Sequence, residues 1–363
     1  MSQIDFEKLS DWAWGIRELT SSIEAIFINE DLILAGDKEG YVGCWNHDGE
    51  LLWKQEIGSR VENFTLTQKS NSANLFLVAG LEICGLNSSS GEIIWRAELE
   101  GISDWVIVDE KHNQVIATSS VFDIEHYDFM EGACWRFTFD GELLDKHNMD
   151  EKAWHLYSNN DQVILGLGRP RNGMLTLEKD NYEHINVNES PICCGYKNIF
   201  GHANGTISIF EKGEINSKKI CNSSISNIML QKELLYISNQ SGQLYCKNKD
   251  EAIWEHYCSD ELCLLSSVQS PKEDLIFAST RTDNGSKLFL LNSNNGDVVF
   301  SSETNNPIRT SSARKNMLIL GMNDGKIIIL EMDLLLRRLN QKESDNSTSK
   351  RNEMLEKLRK LRK

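Results

Sequence analysis

Arginine placement is the first chemical signal in this 363-residue chain. Residues 1–332 hold nine arginines, and five of them, Arg60, Arg169, Arg171, Arg281 and Arg309, stand beside the starts of short apolar segments or in the turns between them. A guanidinium binds carboxylate or phosphate bidentately, so five gathered on one surface would receive an acidic partner or an anionic ligand. Trp105 and Trp154 occupy similar places, where rings add contact area. A second group, Asp123, Glu125, His126 and Asp128, lies in SSVFDIEHYDFMEG, an insertion that interrupts a strand pattern. It reads as a lid loop. Carboxylates and imidazole together suit a divalent cation, but a solvated acidic loop or a partner contact fits the same residues, and no metal is assigned.

The remaining reactive side chains point to packing. Cys44, Cys84, Cys134 and Cys246 each precede a turn at equivalent repeat positions, with no Cys-x-x-Cys spacing, as buried thiols do. The histidines lack metal-ligand spacing. The chain has no Gly-x-Ser-x-Gly elbow and no phosphate-cradling glycine loop. No catalytic residue and no cofactor are assigned, and a small-molecule ligand is not expected.

What must position these residues is a repeat of about 40 residues, the length of a propeller blade. The unit from Ile23 to Gly58 reads SIEAIFI, DLILAG, YVGCWN and LLWKQEI, four β-prone segments joined by turns at Gly40 and at Asp48-Gly49. Matching starts fall at Ile23, Val61, Ile102, Ala153, Ile192, Ile225, Leu262 and Ile308. The last unit has only three strands before Met332, and WAWGIREL, residues 12–19, supplies the fourth by laying Trp14 over Trp53. Closure of this kind removes an exposed sheet edge. The expected fold is therefore all-β: an eight-bladed propeller of four-stranded antiparallel blades over residues 1–332, closed by its N-terminal strand, with residues 333–363 as a linker and helical tail. In this arrangement the turns between second and third strands share one face with the loops into each blade, which puts the arginines on that face.

The unit endings DGELLW, SGEIIW, DEAIW and GDVVF resemble the Gly-x-x-x-Trp ending of PQQ-like β-propeller repeats, with aromatics Trp53, Trp95, Trp254 and Phe300, and Trp14 by superposition. The resemblance implies that these rings dock each blade on the next. Asp145 takes the aromatic position in the third unit, and the fourth and fifth lack it. WD40 propellers are the neighbouring family: HANGTISIF and NDGKIIIL are similar to their central strands, although the Trp-Asp dipeptide is absent. The vicinal Cys193-Cys194 is similar to the disulfide ring of PQQ-dependent alcohol dehydrogenases, an exported class, but here reads as two thiols. No carboxylate and amide set for a quinone-bound Ca²⁺ can be matched to these residues.

Charge separates body from tail. The whole chain carries −16, made of −21 on residues 1–332 and +5 on residues 333–363. Met354, Leu355, Leu358 and Leu361 form an apolar stripe ringed by Lys357, Arg359, Lys360, Arg362 and Lys363, the pattern of a short basic amphipathic helix. The tail reads as a solvated, passive segment or a protein contact, and nucleic acid or an anionic membrane could meet only the tail, because the body is too acidic. No run approaches the roughly 18 apolar residues of a membrane span, MSQIDFEKLSDWAW has no signal-peptide pattern, and nine cysteines suit a reducing compartment. The expectation is a cytoplasmic, non-catalytic scaffold that offers one loop face to a protein partner or anionic ligand and uses the tail as a second contact. The alternative is a propeller enzyme or metal-dependent hydrolase working at the channel mouth.

Overall fold

Second strands such as Leu75–Ala79 and Val163–Leu167 have no polar face and are buried throughout, whereas fourth strands such as Ile93–Glu98 alternate half-buried and exposed. That gradient requires sheets packed face to face, with outer edges meeting water. In the computed structural model, which describes residues 9–342 apart from 71, 160, 161, 249, 250, 259 and 283, the chain forms eight antiparallel four-stranded sheets. The first strands begin at Ile23, Val61, Ile102, Ala153, Ile192, Ile225, Leu262 and Ile308, the eight expected starts. First strands of neighbouring blades abut around the ring, that of blade 8 against that of blade 1. Gly15–Glu18 pairs antiparallel with Lys326–Glu331 and completes blade 8. One correction concerns blade 3: its buried starting residue is Ser103, while Ile102 is half exposed.

Each meander puts its second-to-third turn, together with the connection into the next blade, on one face, here called upper. The other two turns lie on the lower face. Blades dock through the lower turns. The Trp53 indole donates to the Ser88 carbonyl in blade 2 (2.8 Å), Trp95 to Phe139 in blade 3 (2.8 Å), and Trp254 to Ser293 in blade 7 (3.0 Å). Each ring covers a turn glycine. A Cβ on Gly91 would lie 2.5 Å from the Trp53 ring, and Gly91 has φ of +75°, so both space and backbone require glycine.

The closing seam departs from this pattern. Trp14 is 39% exposed and does not cover the turn glycine, Gly49, contrary to its expected role. Arg17 takes the seat instead: its guanidinium lies on Gly49 and its Nε donates to the Gly49 carbonyl at 2.5 Å. Trp12, buried in a 3-10 turn, meets Phe300 edge-on at 5.2 Å between centroids. Between blades 3 and 4, where Asp145 replaces the aromatic, Arg136 reaches the Lys179 carbonyl (2.7 Å) and Asp180 (2.8 Å), and Asp145 accepts from the Tyr182 hydroxyl (2.9 Å).

After the last strand, residues 332–342 are helical. Met332 and Leu335 are fully buried against blades 7 and 8, Arg338 donates to the carbonyls of Asp11 and Ala13, and the Lys342 ammonium sits over the Trp12 ring. The helix starts on the lower face, where the Met332 amide bonds the Asn316 carbonyl. The proposed linker and the stripe Met354, Leu355, Leu358 and Leu361 lie outside the described residues. All nine cysteines are free thiols, and burial pushes Cys44, Cys84 and Cys134 up to about 12. Among the described residues no helix is long and apolar enough to cross a membrane.

Candidate functional site: the upper channel mouth

The upper mouth is built on one repeated backbone device. Every first strand shifts register against its second strand near its start, leaving one residue looped out: Glu24, Glu62, Asp104, Trp154, Cys193, Ser226, Cys263 and Arg309 in blades 1 to 8. A bulge of this kind re-aims a side chain without disturbing the rest of the strand. Eight such residues line the mouth as a ring.

The arc over blades 8, 1, 2 and 3 is charged. Glu24, with only 6% of its side chain exposed, receives Arg60 at 2.9 Å, Arg309 at 3.1 Å and the Ser22 hydroxyl at 2.7 Å. Burial pushes its carboxyl up, but the Ser22 hydrogen bond and the two guanidiniums outweigh it, and the pKa is lowered. Arg60 also holds Glu62 at 3.0 Å. Burial raises the Glu62 pKa, only partly offset by Arg60, with Glu24 and Asp104 adding repulsion. Asp104 is nearly buried and its pKa is raised for the same first reason, despite a salt bridge from Lys152. The Lys152 ammonium stands over the Phe129 ring at 4.2 Å and the Trp154 ring at 5.2 Å. Glu24, Glu62 and Asp104 are thus each paired with a side-chain cation. Among the described residues no three His, Cys, Asp or Glu side chains converge as a metal set.

The arc over blades 4 to 7 is neutral and open. A cavity of about 730 Å³ is floored by Trp154, Cys193, Ser226 and Cys263. Arg169 and Arg281 enter it from the second-to-third turns of blades 4 and 7, accompanied by Asp128 and Glu261. Arg169 pairs with Asp128 at 2.9 Å. Arg281 is exposed, with no ion pair among the described residues. Burial raises the Cys263 thiol while the nearby Arg281 charge works against it.

The other expected residues distribute as follows. Arg171 is exposed near Glu151 and His147, outside the cavity. Trp105 is half buried and packs between blades 3 and 4, so it belongs to the core and not to the face. The reason is the Asp104 bulge, which flips the in-out alternation for every residue after it. The lid is the hairpin joining Gln114–Asp123 to Asp128–Thr138. Asp123 caps its turn by accepting the Glu125 and His126 amides, and it holds the His126 ring at 3.0 Å. Phe122, Phe129 and Trp154 stack edge to face at the lid base (5.2 and 5.9 Å), and the Arg169–Asp128 pair ties the lid to blade 4. Ile124 and Tyr127 at the tip are 76% and 81% exposed.

Glu24, Glu62, Asp104, Lys152, Cys193, Ser226 and Cys263 are the mouth residues that sequence reasoning missed. The available signal was position, since all but Lys152 directly follow the buried residue that opens a blade.

No family model matches the chain, and no curated protein matches its sequence. Solved structures do match its shape. It is similar to Sqt1 of Saccharomyces cerevisiae (TM-score 0.70, 13% identity, 88% of this chain and 99% of that one). It is likewise similar to the computationally designed Ika8 protein (0.68, 14%, 86% and 97%) and to BamB of Moraxella catarrhalis (0.65, 12%, 88% and 99%). At these identities the likeness establishes the propeller fold and nothing finer.

Proposed function

We propose that the chain is a non-catalytic interaction scaffold that receives a protein partner at the open arc of its upper mouth, with the basic tail as a second contact. The observation that carries this reading is the cavity over blades 4 to 7. Its charged lining groups, Arg169, Arg281, Asp128 and Glu261, balance in sign, and its floor combines an indole with small neutral side chains. A free phosphate would meet two carboxylates as well as two guanidiniums. A peptide surface of mixed charge matches the lining better, and arginine with aromatic rings is the composition of protein-binding surfaces. Two moderate contacts on one chain gain avidity when both engage together.

The Trp-on-glycine seams at Gly91, Gly141 and Gly296 support a PQQ-like blade design over a WD40 one. Nine free thiols support a reducing, cytoplasmic setting. The test is affinity purification of the full chain beside an Arg169→Ala/Arg281→Ala variant and a truncation after Lys342, with nuclease treatment of the eluate. A partner lost from the double variant and kept after nuclease supports the reading. Identical recovery from all three proteins overturns it.

A further inference from the structure

The lid hairpin has an exposed apolar surface that the mouth does not use. Val121, Phe122, Ile124, Tyr127 and Met130 are 37–81% exposed on this one hairpin, and Ile102 beside it is 50% exposed. Exposed apolar side chains of this size gathered on one hairpin are the kind of surface that marks a contact site. The patch has a sign. From His112 to Trp135 the chain contains Asp123, Glu125, Asp128 and Glu131 and no lysine or arginine. Asp128 is neutralised by Arg169, which leaves the tip and outer strand acidic. The surface therefore calls for an occupant that is apolar on one side and basic on the other.

This chain carries such a segment. Residues 350–363 contain seven Lys+Arg against two Glu, with Met354 and Leu355 four and three residues before Leu358 and Leu361 three after it. Spacing of that kind puts the four on one face of a helix. A stretch this short is marginal as a helix in water, so an apolar groove would stabilise it.

Topology decides which copy supplies it. The described helix, residues 332–342, begins at the lower face and ends with Lys342 against Trp12 at the lower edge of blades 7 and 8. The lid rises from the upper face of blade 3. The residues between Lys342 and Met354 reach at most about 40 Å when fully extended. Within one molecule they would have to climb a blade and pass the rims of blades 8, 1 and 2. A neighbouring molecule meets no such detour.

We infer that the lid hairpin of one copy is the docking site for residues 350–363 of a second copy, making the protein self-associate through a heterologous lid-to-tail contact. This rests on the upper face being the interaction face, but uses the lid tip and not the arginine-lined cavity. Such a contact can repeat from copy to copy or close by reciprocal exchange.

The experiment uses full-length chains with one side of the contact broken. Ile124→Ser/Tyr127→Ser removes the lid tip and spares Asp123, which caps the turn. Leu355→Asp/Leu358→Asp removes the tail stripe. Sedimentation should show wild type heavier as concentration rises and each variant monomeric. An equimolar mixture of the two variants should restore a one-to-one pair, since one supplies an intact tail and the other an intact lid. A synthetic 349–363 peptide should bind the tail variant and bind the lid variant at least about tenfold more weakly. Glu125→Lys/Glu131→Lys should weaken it further as a charge effect, and added salt should do the same in wild type. A monomeric wild type overturns the inference, and so does peptide binding to the lid without self-association, which places the contact within one molecule. Tail-dependent assembly that ignores the lid variant, or capture of the tail only by RNA or anionic vesicles, also overturns it. The Arg169→Ala/Arg281→Ala variant should still self-associate, so loss of the mouth partner and loss of the lid contact remain separable.

Discussion

Around the upper mouth, blades 8, 1, 2 and 3 loop out Arg309, Glu24, Glu62 and Asp104, whereas blades 4 to 7 loop out Trp154, Cys193, Ser226 and Cys263. The backbone device is the same in all eight. On the charged arc Glu24, Glu62, Asp104 and Arg309 each pair with a group from the same or the next blade, beside a polar pocket of about 470 Å³ lined by Glu24, Arg60, Arg309 and Lys38 among others. On the neutral arc the floor makes few demands on its neighbours, and Arg281 is left facing an open cavity. Dense charge at a propeller mouth can thus be a seam, while the sparser side holds the group available to a partner. Stability should respond to changes on the charged arc, and binding to changes on the neutral one.

The largest effect is expected at Lys152. Lys152→Met keeps the stem but strands the Asp104 carboxylate, whose side chain is 5% exposed. Removing one partner of a buried pair costs about 3–5 kcal/mol, and the lower end applies because Asp104 can take up a proton instead. The sign with pH follows from its raised pKa. A carboxyl raised on folding contributes stability below its ordinary pKa and loses it as pH rises through the folded value. Urea unfolding should therefore show the deficit at neutral pH shrinking in acid, and Lys152→Met/Asp104→Asn should recover most of it. A deficit constant with pH would mean that Lys152 acts through Phe129 and Trp154 alone.

Glu24→Ala comes next, at about 2–3 kcal/mol, below the fully buried figure because Arg60 and Arg309 are partly exposed. Here the pH dependence reverses. The Glu24 pKa is lowered, so its contribution is present above the ordinary value of 4.5 and lost as pH falls through the folded one. The urea midpoints of wild type and variant should converge in acid.

How far the residues announced this arrangement depends on the length scale. Strand starts such as Val61 and Leu262 were legible because a fully buried apolar residue opens every blade but the third, and Asp-Gly or Asn-Gly turns close several of the hairpins. The bulges were not, since no residue type marks the looped position: acids, a tryptophan, thiols, a serine and an arginine all serve. The one extra residue at Asp104 carried Trp105 from the face into the core. Pairing between blades was equally hidden, because Glu24 and Arg309 are 285 positions apart. Arg17 escaped notice for a different reason. A guanidinium is flat, can cover a glycine as an indole does, and donates to the same turn, so the seat was sought in Trp14 by residue type when geometry accepts either.

Glu62 offers a smaller contrast inside the charged arc. Its raised pKa means that ionisation is disfavoured in the folded state. Glu62→Gln should leave the neutral-pH unfolding free energy unchanged or raise it by under about 1 kcal/mol. The gain should fade as pH falls through the raised value towards 4.5. A loss as large as that of Glu24→Ala would mean that the Arg60–Glu62 contact, and not Arg60–Glu24, holds the seam.

The smallest effect on stability belongs to Arg281. Arg281→Ala removes an exposed side chain and should change the unfolding free energy by less than about 0.5 kcal/mol. Its charge acts on Cys263, where burial raises the thiol pKa and Arg281 opposes the rise. The thiolate is the reactive form, so the substitution should slow alkylation of Cys263 at mildly alkaline pH. Cys193, raised by burial and tempered by the Ser224 hydroxyl instead, should keep its rate and serve as the control in the same sample. Mass spectrometry of the two peptides reads both at once. Equal slowing at both thiols would point to a rearranged cavity floor, and an unchanged Cys263 would place the Arg281 guanidinium away from the cavity, removing it from the binding surface on which the neutral arc depends.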